Sequence, residues 1–221
     1  MPRRSNGTAF PTGGDEQVSE RTISRIRWYL YVLEDYAARG IPVITSREIS
    51  EKVGVKSGLV RKDLCQFGGF GRPSVGYNVA YLQKKVREIM RISEPKMIAW
   101  IGADHFACDP ERAQKFARRN CTITAVFDSR PEWIGKQVGG FIVQSTEEIE
   151  KAARKLEFRA AVITTSGDDT AEIVQRLAAA GVKAILNLSP RAVVAPPGVA
   201  LRNIDVAGEL LMLCFFAGCG K

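Results

Sequence analysis

The groups best placed for ligand chemistry lie just after a short apolar run. That run, Met97-Ile98-Ala99-Trp100-Ile101, continues as Gly102-Ala103-Asp104-His105-Phe106-Ala107. A glycine directly after a buried strand turns the chain tightly at the carboxyl edge of a sheet, where α/β folds bind ligands. A dinucleotide fingerprint needs G-x-G-x-x-G. Its second glycine lets a pyrophosphate approach the backbone, and its third lets helix and strand pack closely. Only the first glycine is present here. Asp104 sets a carboxylate where the pyrophosphate would lie, a repulsion in a poorly solvated crevice. Asp128 closes the next apolar run, Cys121 to Phe127. It is placed either to hold a ribose hydroxyl pair or to serve as a satisfied loop carboxylate. His105 is the only histidine in the chain. No Ser–His–acid or Cys–His–acid set can be assembled around it, which argues against an enzyme. His105 and Cys108 have H-x2-C spacing, with Asp104 and Asp109 nearby. Two soft ligands do not make a metal site, so none is expected.

The second cluster is basic. Residues 1–93 hold 16 of the 32 Lys and Arg but 9 of the 24 Asp and Glu, so they carry +7 of the net +8. Such asymmetry points to a polyanion for one half of the chain only. Lys56, Ser57, Arg61 and Lys62 lie in one short stretch, and Arg72 follows among glycines and aromatics, Phe67-Gly68-Gly69-Phe70-Gly71-Arg72-Pro73-Ser74-Val75-Gly76-Tyr77. Guanidinium and ammonium groups bond guanine O6 and N7, and the free amides of a helix's first turn bind phosphate.

The elements that position these residues follow from periodicity. Ile23, Ile26, Leu30, Leu33 and Ala37 recur at helical steps over 23–39, and Gly40 and Pro42 end that helix. Thr45-Ser46-Arg47-Glu48 fits a capping box that opens a second helix, with Ile49 and Val53 inward and Gly54 as its stop. A third helix is expected from Ser57 to near Phe67, with Leu59 or Val60 and Leu64 buried. Two short helices joined by a glycine turn read as a helix-turn-helix, and the glycine–aromatic stretch reads as a wing. Ser46, Lys56, Ser57, Arg61, Lys62 and Arg72 are the expected DNA contacts. A small bundle with merely solvated charges is the competing reading, and three helices, a wing and the charge together favour DNA. A helix over Val79–Ile92 leads to a break at Ser93-Glu94-Pro95. Beyond it, strands at Met97–Ile101, Cys121–Phe127, Ala160–Thr164, Ala184–Leu186 and Ala200–Ile204 alternate with helices at Pro110–Arg119, Thr146–Leu156 and Asp169–Ala180. That alternation implies a doubly wound parallel sheet. Asp109 is the expected N-cap of the first of these helices, which would then start a turn late. Val206 to Ala217 is apolar nearly all round, which suits burial in a dimer.

The expected organisation is therefore a disordered leader (1–20), a winged-helix DNA-binding domain (21–93), a Rossmann-like sensing domain (94–204) and a C-terminal dimerisation helix (205–221). No apolar run is long enough to span a membrane. Cys65, Cys108, Cys121, Cys214 and Cys219 are scattered and odd in number, which fits a reducing cytoplasm. Cys65, Cys214 and Cys219 are candidate oxidation sensors or simply small apolar residues. A Rossmann domain alone would also suit a dehydrogenase, a CoA-dependent ligase or a module for another nucleotide.

Val60-Arg61-Lys62-Asp63-Leu64, followed by Phe67-Gly68 and Gly76-Tyr77, resembles the recognition helix and wing of the Rex family of redox-sensing transcriptional repressors. Phe127-Asp128, Ile134-Gly135-Lys136, Ile185-Leu186-Asn187 and Asn203-Ile204-Asp205 also resemble that family, and the likeness runs from about Ile23 to Phe216. It implies a homodimer with a swapped C-terminal helix, a pseudo-palindromic operator in double-stranded DNA, and a domain that senses NADH against NAD. In the family, NADH closes the two sensing domains and withdraws the helices from proper spacing. The resemblance places the cofactor at Gly102, Ala103, Asp104, His105, Phe106, Ala107 and Asp128. The departures fall together. Asp104 and Ala107 replace motif glycines, Ala113 stands where the family has a tyrosine, and Tyr31 stands where an arginine would pair with Asp205. Tyr31, Ala113 and Asp205 are thus the positions of the interdomain switch. The expectation is a retained DNA-reading end with NAD(H) sensing weakened, altered or lost.

Overall fold

The computed structural model describes residues 18–219 apart from Pro73, Pro110 and Ser166. Residues 1–17 of the expected leader, and the expected helix start at Pro110, lie outside the described residues. The chain forms two compact units that meet in sequence at Glu94 and Pro95.

The first unit opens with α1 (Glu20–Ala38). Ser19 caps it by accepting from the Thr22 amide, so the helix starts three residues earlier than its apolar periodicity suggests, inside the expected leader. Ile26, Tyr29, Leu30 and Leu33 form its buried stripe. Ala37, expected on that stripe, is exposed and Tyr36 is buried instead. The strand β1 (Val43–Ile44) leads into α2 (Ser46–Val53). Both halves of the expected capping box are present: the Thr45 hydroxyl accepts from the Glu48 amide, and Glu48 accepts from the Thr45 amide. Gly54 ends α2 in the left-handed region. The segment expected as the recognition helix forms α3 (Ser57–Cys65), with Val60 and Leu64 buried and Leu59 only partly so. After it, Arg72 bridges Gly76, and β2 (Tyr77–Asn78) pairs antiparallel with β1. Gly76 has φ 104°, and a Cβ there would lie 2.6 Å from the Ile44 carbonyl oxygen, so the wing's return is built on a residue only glycine can fill. The helix α4 (Val79–Ile89) closes the unit and ends a turn short of the expected Ile92.

The second unit contains β3 (Lys96–Ile101), α5 (Ala103–Ala107), α6 (Arg112–Ala117), β4 (Cys121–Asp128), β5 (Gln137–Val138), β6 (Phe141–Ile142), β7 (Gln144–Ser145), α7 (Ile149–Leu156), β8 (Ala160–Ile163), α8 (Thr170–Ala179), β9 (Ala184–Asn187), β10 (Ala200–Asn203) and α9 (Val206–Ala217). Six strands make one parallel sheet, ordered β10-β9-β8-β3-β4-β7. Strand order reverses between β3 and β8, which opens a ligand crevice at their carboxyl ends in this class of fold. Successive β3 residues face opposite layers: Ala99 and Ile101 pack with α7 and α8, while Ile98 and Trp100 pack with Phe106. The short strands β5 to β7 carry too few residues to show periodicity in the sequence.

The expected helix over Pro110–Arg119 is corrected. Helix starts directly after Gly102 as the single turn α5, breaks, and resumes as α6. It does not begin a turn late. Phe106 is the reason: at 1% exposure it is wedged in the core beside Trp100 and Phe141, which holds the first turn against the sheet. The N-cap position of α6 falls to Glu111, not Asp109, and Glu111 makes no side-chain cap bond. The Asp109 carboxylate is held by Lys115 at 3.0 Å and also accepts from the Glu111 amide.

Candidate nucleic-acid interface and ligand crevice

In the first unit the expected DNA contacts converge. Arg61 projects from the exposed side of α3 and donates to the Ser46 hydroxyl at the start of α2, 3.0 Å away. Lys62 is exposed beside it, and Lys56 and Ser57 form the start of α3, where Lys56 as N-cap makes no side-chain cap bond. A cavity of about 490 Å³ lies between α3 and the wing, lined by Ser46, Arg61, Cys65, Phe70, Arg72 and Tyr77 among others. Ser46, Arg61 and Arg72 thus share one concave surface. Burial pushes the Tyr77 hydroxyl above its ordinary pKa, so this aromatic wall stays neutral.

The support behind α3 was not read from sequence. Asp63 is 1% exposed and faces α1. Arg25 grips both its oxygens, Nε at 2.6 Å and Nη2 at 2.7 Å, and the Tyr29 hydroxyl donates to it at 2.8 Å. The bond to Asp63 raises the Arg25 pKa, and burial, followed by the Asp63 bond, raises that of Tyr29. The only signal available was an acid among basic residues, one step before the buried Leu64.

In the second unit, Gly102 has φ 111°, and a Cβ on it would lie 2.4 Å from the Thr164 hydroxyl oxygen at the end of β8. The glycine is required by that close approach of chain to chain. Ala103 is buried, Ala107 and His105 are exposed, and Asp104 is half-buried.

Asp128 is 1% exposed, at the end of β4. One oxygen accepts from the Ala103 amide at 2.8 Å and from Arg130 Nη2 at 2.9 Å. The other accepts from the Arg130 amide at 3.0 Å and Arg130 Nε at 2.9 Å. A carboxylate has about four acceptor positions, so Asp128 is filled. Its acceptor positions are thus taken within the chain by Ala103 and Arg130. Burial works against its charge, but the bonds from Arg130 and Ala103 prevail and hold its carboxyl below the usual range. Arg130 Nη2 also reaches Asp104 at 3.0 Å, and its bonding to Asp128 raises the guanidinium pKa further. Burial likewise opposes the Asp104 charge, and the His105 amide and Arg130 lower its pKa. Arg130 lies two residues past the expected contact, and no motif or spacing in the sequence marks it.

Tyr31 is exposed on α1, edge-on to Trp28. Ala113 sits on α6 against the sheet. Asp205 caps α9 through the Gly208 amide at 2.9 Å. No large side chain of α9 is buried within this chain; Phe215 is 81% and Leu211 70% exposed. Among the described residues no cluster of three His, Cys, Asp or Glu fit to hold a metal occurs. No helix among them is long and apolar enough to cross a membrane.

Two family models match the chain, one described as "Putative DNA-binding protein N-terminus" over residues 17–65 and one described as "CoA binding domain" over residues 93–191. The redox-sensing transcriptional repressor Rex of Desulfitobacterium hafniense is 36% identical over 202 residues, covering 91% of this chain and 96% of that protein. Rex of Brevibacillus brevis is 30% identical over 201 residues, covering 91% and 97%. These relatives are named as repressors, not enzymes. Among solved structures, RSP in complex with β-NAD+ and operator DNA is similar with a TM-score of 0.83 at 28% identity, over 92% of this chain and 94% of that one. RSP in complex with β-NADH has a TM-score of 0.78 at 26% identity, over 92% and 95%.

Proposed function

The chain belongs to the Rex family of redox-sensing transcriptional repressors, and from that premise we propose that it is a DNA-binding repressor whose response to NAD(H) is weakened, altered or lost. It acts as a homodimer on a pseudo-palindromic operator, two recognition helices one duplex turn apart. Arg61 and Lys62 reach base edges or phosphates, Ser46, Lys56 and Ser57 meet the backbone at the helix starts, and Arg72 supplies the wing contact. The support for this half is the concave surface shared by Ser46, Arg61 and Arg72, together with the operator DNA bound by the related RSP. The apolar α9 serves as the dimer contact, and the scattered free cysteines fit a cytoplasmic setting.

The second half rests on one observation, the filled carboxylate of Asp128. A ribose diol needs acceptor positions that Arg130 and Ala103 already use. Asp104 adds a negative charge where a pyrophosphate would approach. We read Gly102, Ala103, Asp104, His105, Phe106, Ala107 and Asp128 as a crevice that does not fit NAD(H), although relatives bind it. Without an arginine at Tyr31 or a tyrosine at Ala113, the switch that would carry a signal to Asp205 is also incomplete. The test is titration of the purified protein with NADH, following nicotinamide fluorescence. The expected result is no saturable signal; micromolar or tighter binding would overturn this reading.

A further inference from the structure

Resting on that reading of the NAD(H) response, we infer that Asp104 and Arg130 form an internal stand-in for a nucleotide, occupying the ribose–phosphate seat from within the chain. The resemblance is chemical and specific. A ribose diol would present two donors to the two oxygens of Asp128; Arg130 presents Nε and Nη2 to those same oxygens, each at 2.9 Å. A phosphate would present an anionic oxygen to the first amides after Gly102. Asp104 Oδ1 takes the His105 amide at 2.7 Å, while Asp128 takes the Ala103 amide at 2.8 Å. Arg130 Nη2 then ties the two substitutes together by its contact with Asp104 Oδ2 at 3.0 Å. The remaining Asp104 contact is His105 Nδ1 at 3.2 Å.

The result is a clip across the mouth of the crevice, from the loop after β3 to the loop after β4. A guanidinium with a bidentate carboxylate grip is a strong and geometrically specific partner. Arg130 keeps a third of its side chain exposed and lies 5.9 Å from the Trp133 ring centroid, so its outer side is open to solvent while its inner side is fully engaged. An entering nucleotide must displace both the guanidinium from Asp128 and the carboxylate from the His105 amide. Loss of the glycine at position 104 is thus one half of a paired change, and Arg130 is the other. Arg130 is a positioning residue that determines what the crevice excludes.

The experiment compares the wild type, Asp104→Gly and the double variant Asp104→Gly/Arg130→Ser. Each is titrated with NADH by fluorescence and with ADP-ribose by calorimetry, with circular dichroism and thermal melting as checks of folding. The wild type and Asp104→Gly should show little binding, because the guanidinium stays on Asp128. The double variant should bind both probes at least about tenfold more tightly than the wild type. A folded double variant that binds no better than the wild type overturns the inference and leaves the loss of NAD(H) response standing. So does Asp104→Gly alone binding as well as the double variant, since Arg130 would then exclude nothing. Tight NADH binding by the wild type overturns the reading beneath it as well. Should the double variant fail to fold, Asp104→Gly/Arg130→Lys decides on the same criteria, because a lysine keeps the charge but cannot span both Asp128 oxygens.

Discussion

Asp63 and Asp128 are two buried carboxylates met by arginines, and each decides something about its unit. Asp63 turns the inner side of a basic helix toward α1, where Arg25 and Tyr29 fill its acceptor positions. It fixes the direction in which Arg61 and Lys62 point, since the opposite side of α3 is tied down. Removing one member of a buried pair leaves the other uncompensated, a loss of about 3–5 kcal/mol. Arg25 keeps 23% of its side chain exposed and can rehydrate in part. Asp63→Ala is therefore expected to cost about 3 kcal/mol, the lower end of that range, in urea unfolding of the first unit; a change below about 0.5 kcal/mol would remove the locking role. Asp128 was legible as a residue of interest because it closes an apolar run. Its partner was not, because nothing in a sequence says that a side chain two residues onward folds back over the carboxylate that precedes it.

At the level of elements, the helix-turn-helix was readable because its signals are local. The capping box at Thr45 and Glu48 and the glycine stop at Gly54 act within one turn of chain, and the Thr45 hydroxyl and amide hold the Glu48 carboxyl below its usual range. The third helix begins without a side-chain cap, which leaves its first amides to phosphate or water. Arg61 is exposed, and among the described residues its side chain donates a hydrogen bond to Ser46. Arg61→Ala should therefore leave stability within about 0.5 kcal/mol, yet lower specific operator affinity by about 1–3 kcal/mol. Equal operator affinity in a gel-shift or anisotropy titration would count against the recognition-helix assignment. The α5–α6 break behaved differently. Asp109-Pro110-Glu111 was a fair sign of a helix boundary, but it could not tell that a turn of helix already stood before it. That turn is held by Phe106 packing on Trp100 and on Phe141, the second of which lies far along the chain.

For the whole molecule, α9 is the feature a single chain leaves unexplained. Leu210, Leu211, Leu213, Phe215 and Phe216 are each more than 60% exposed, a patch that isolated soluble proteins rarely carry. Removal of residues 206–221 should yield a monomer by sedimentation. Its operator affinity should fall by about 10²–10⁴, because two linked half-site contacts become one. A truncated chain that remains dimeric would remove α9 from the interface. The sequence by itself determined the class of each unit, the break at Ser93-Glu94-Pro95 where the two units meet, the concentration of +7 in residues 1–93 and the basic residues of the third helix and the wing. These depend on composition, on short-range periodicity and on caps, all of which act along the chain. Only the tertiary structure decided that Gly102 is held by Thr164, that Asp63 faces inward, and that Arg130 closes on Asp128 and Asp104. Each of those contacts depends on side-chain geometry or on the parallel pairing of β3 with β4 and β8, which sets neighbours that spacing in sequence does not encode.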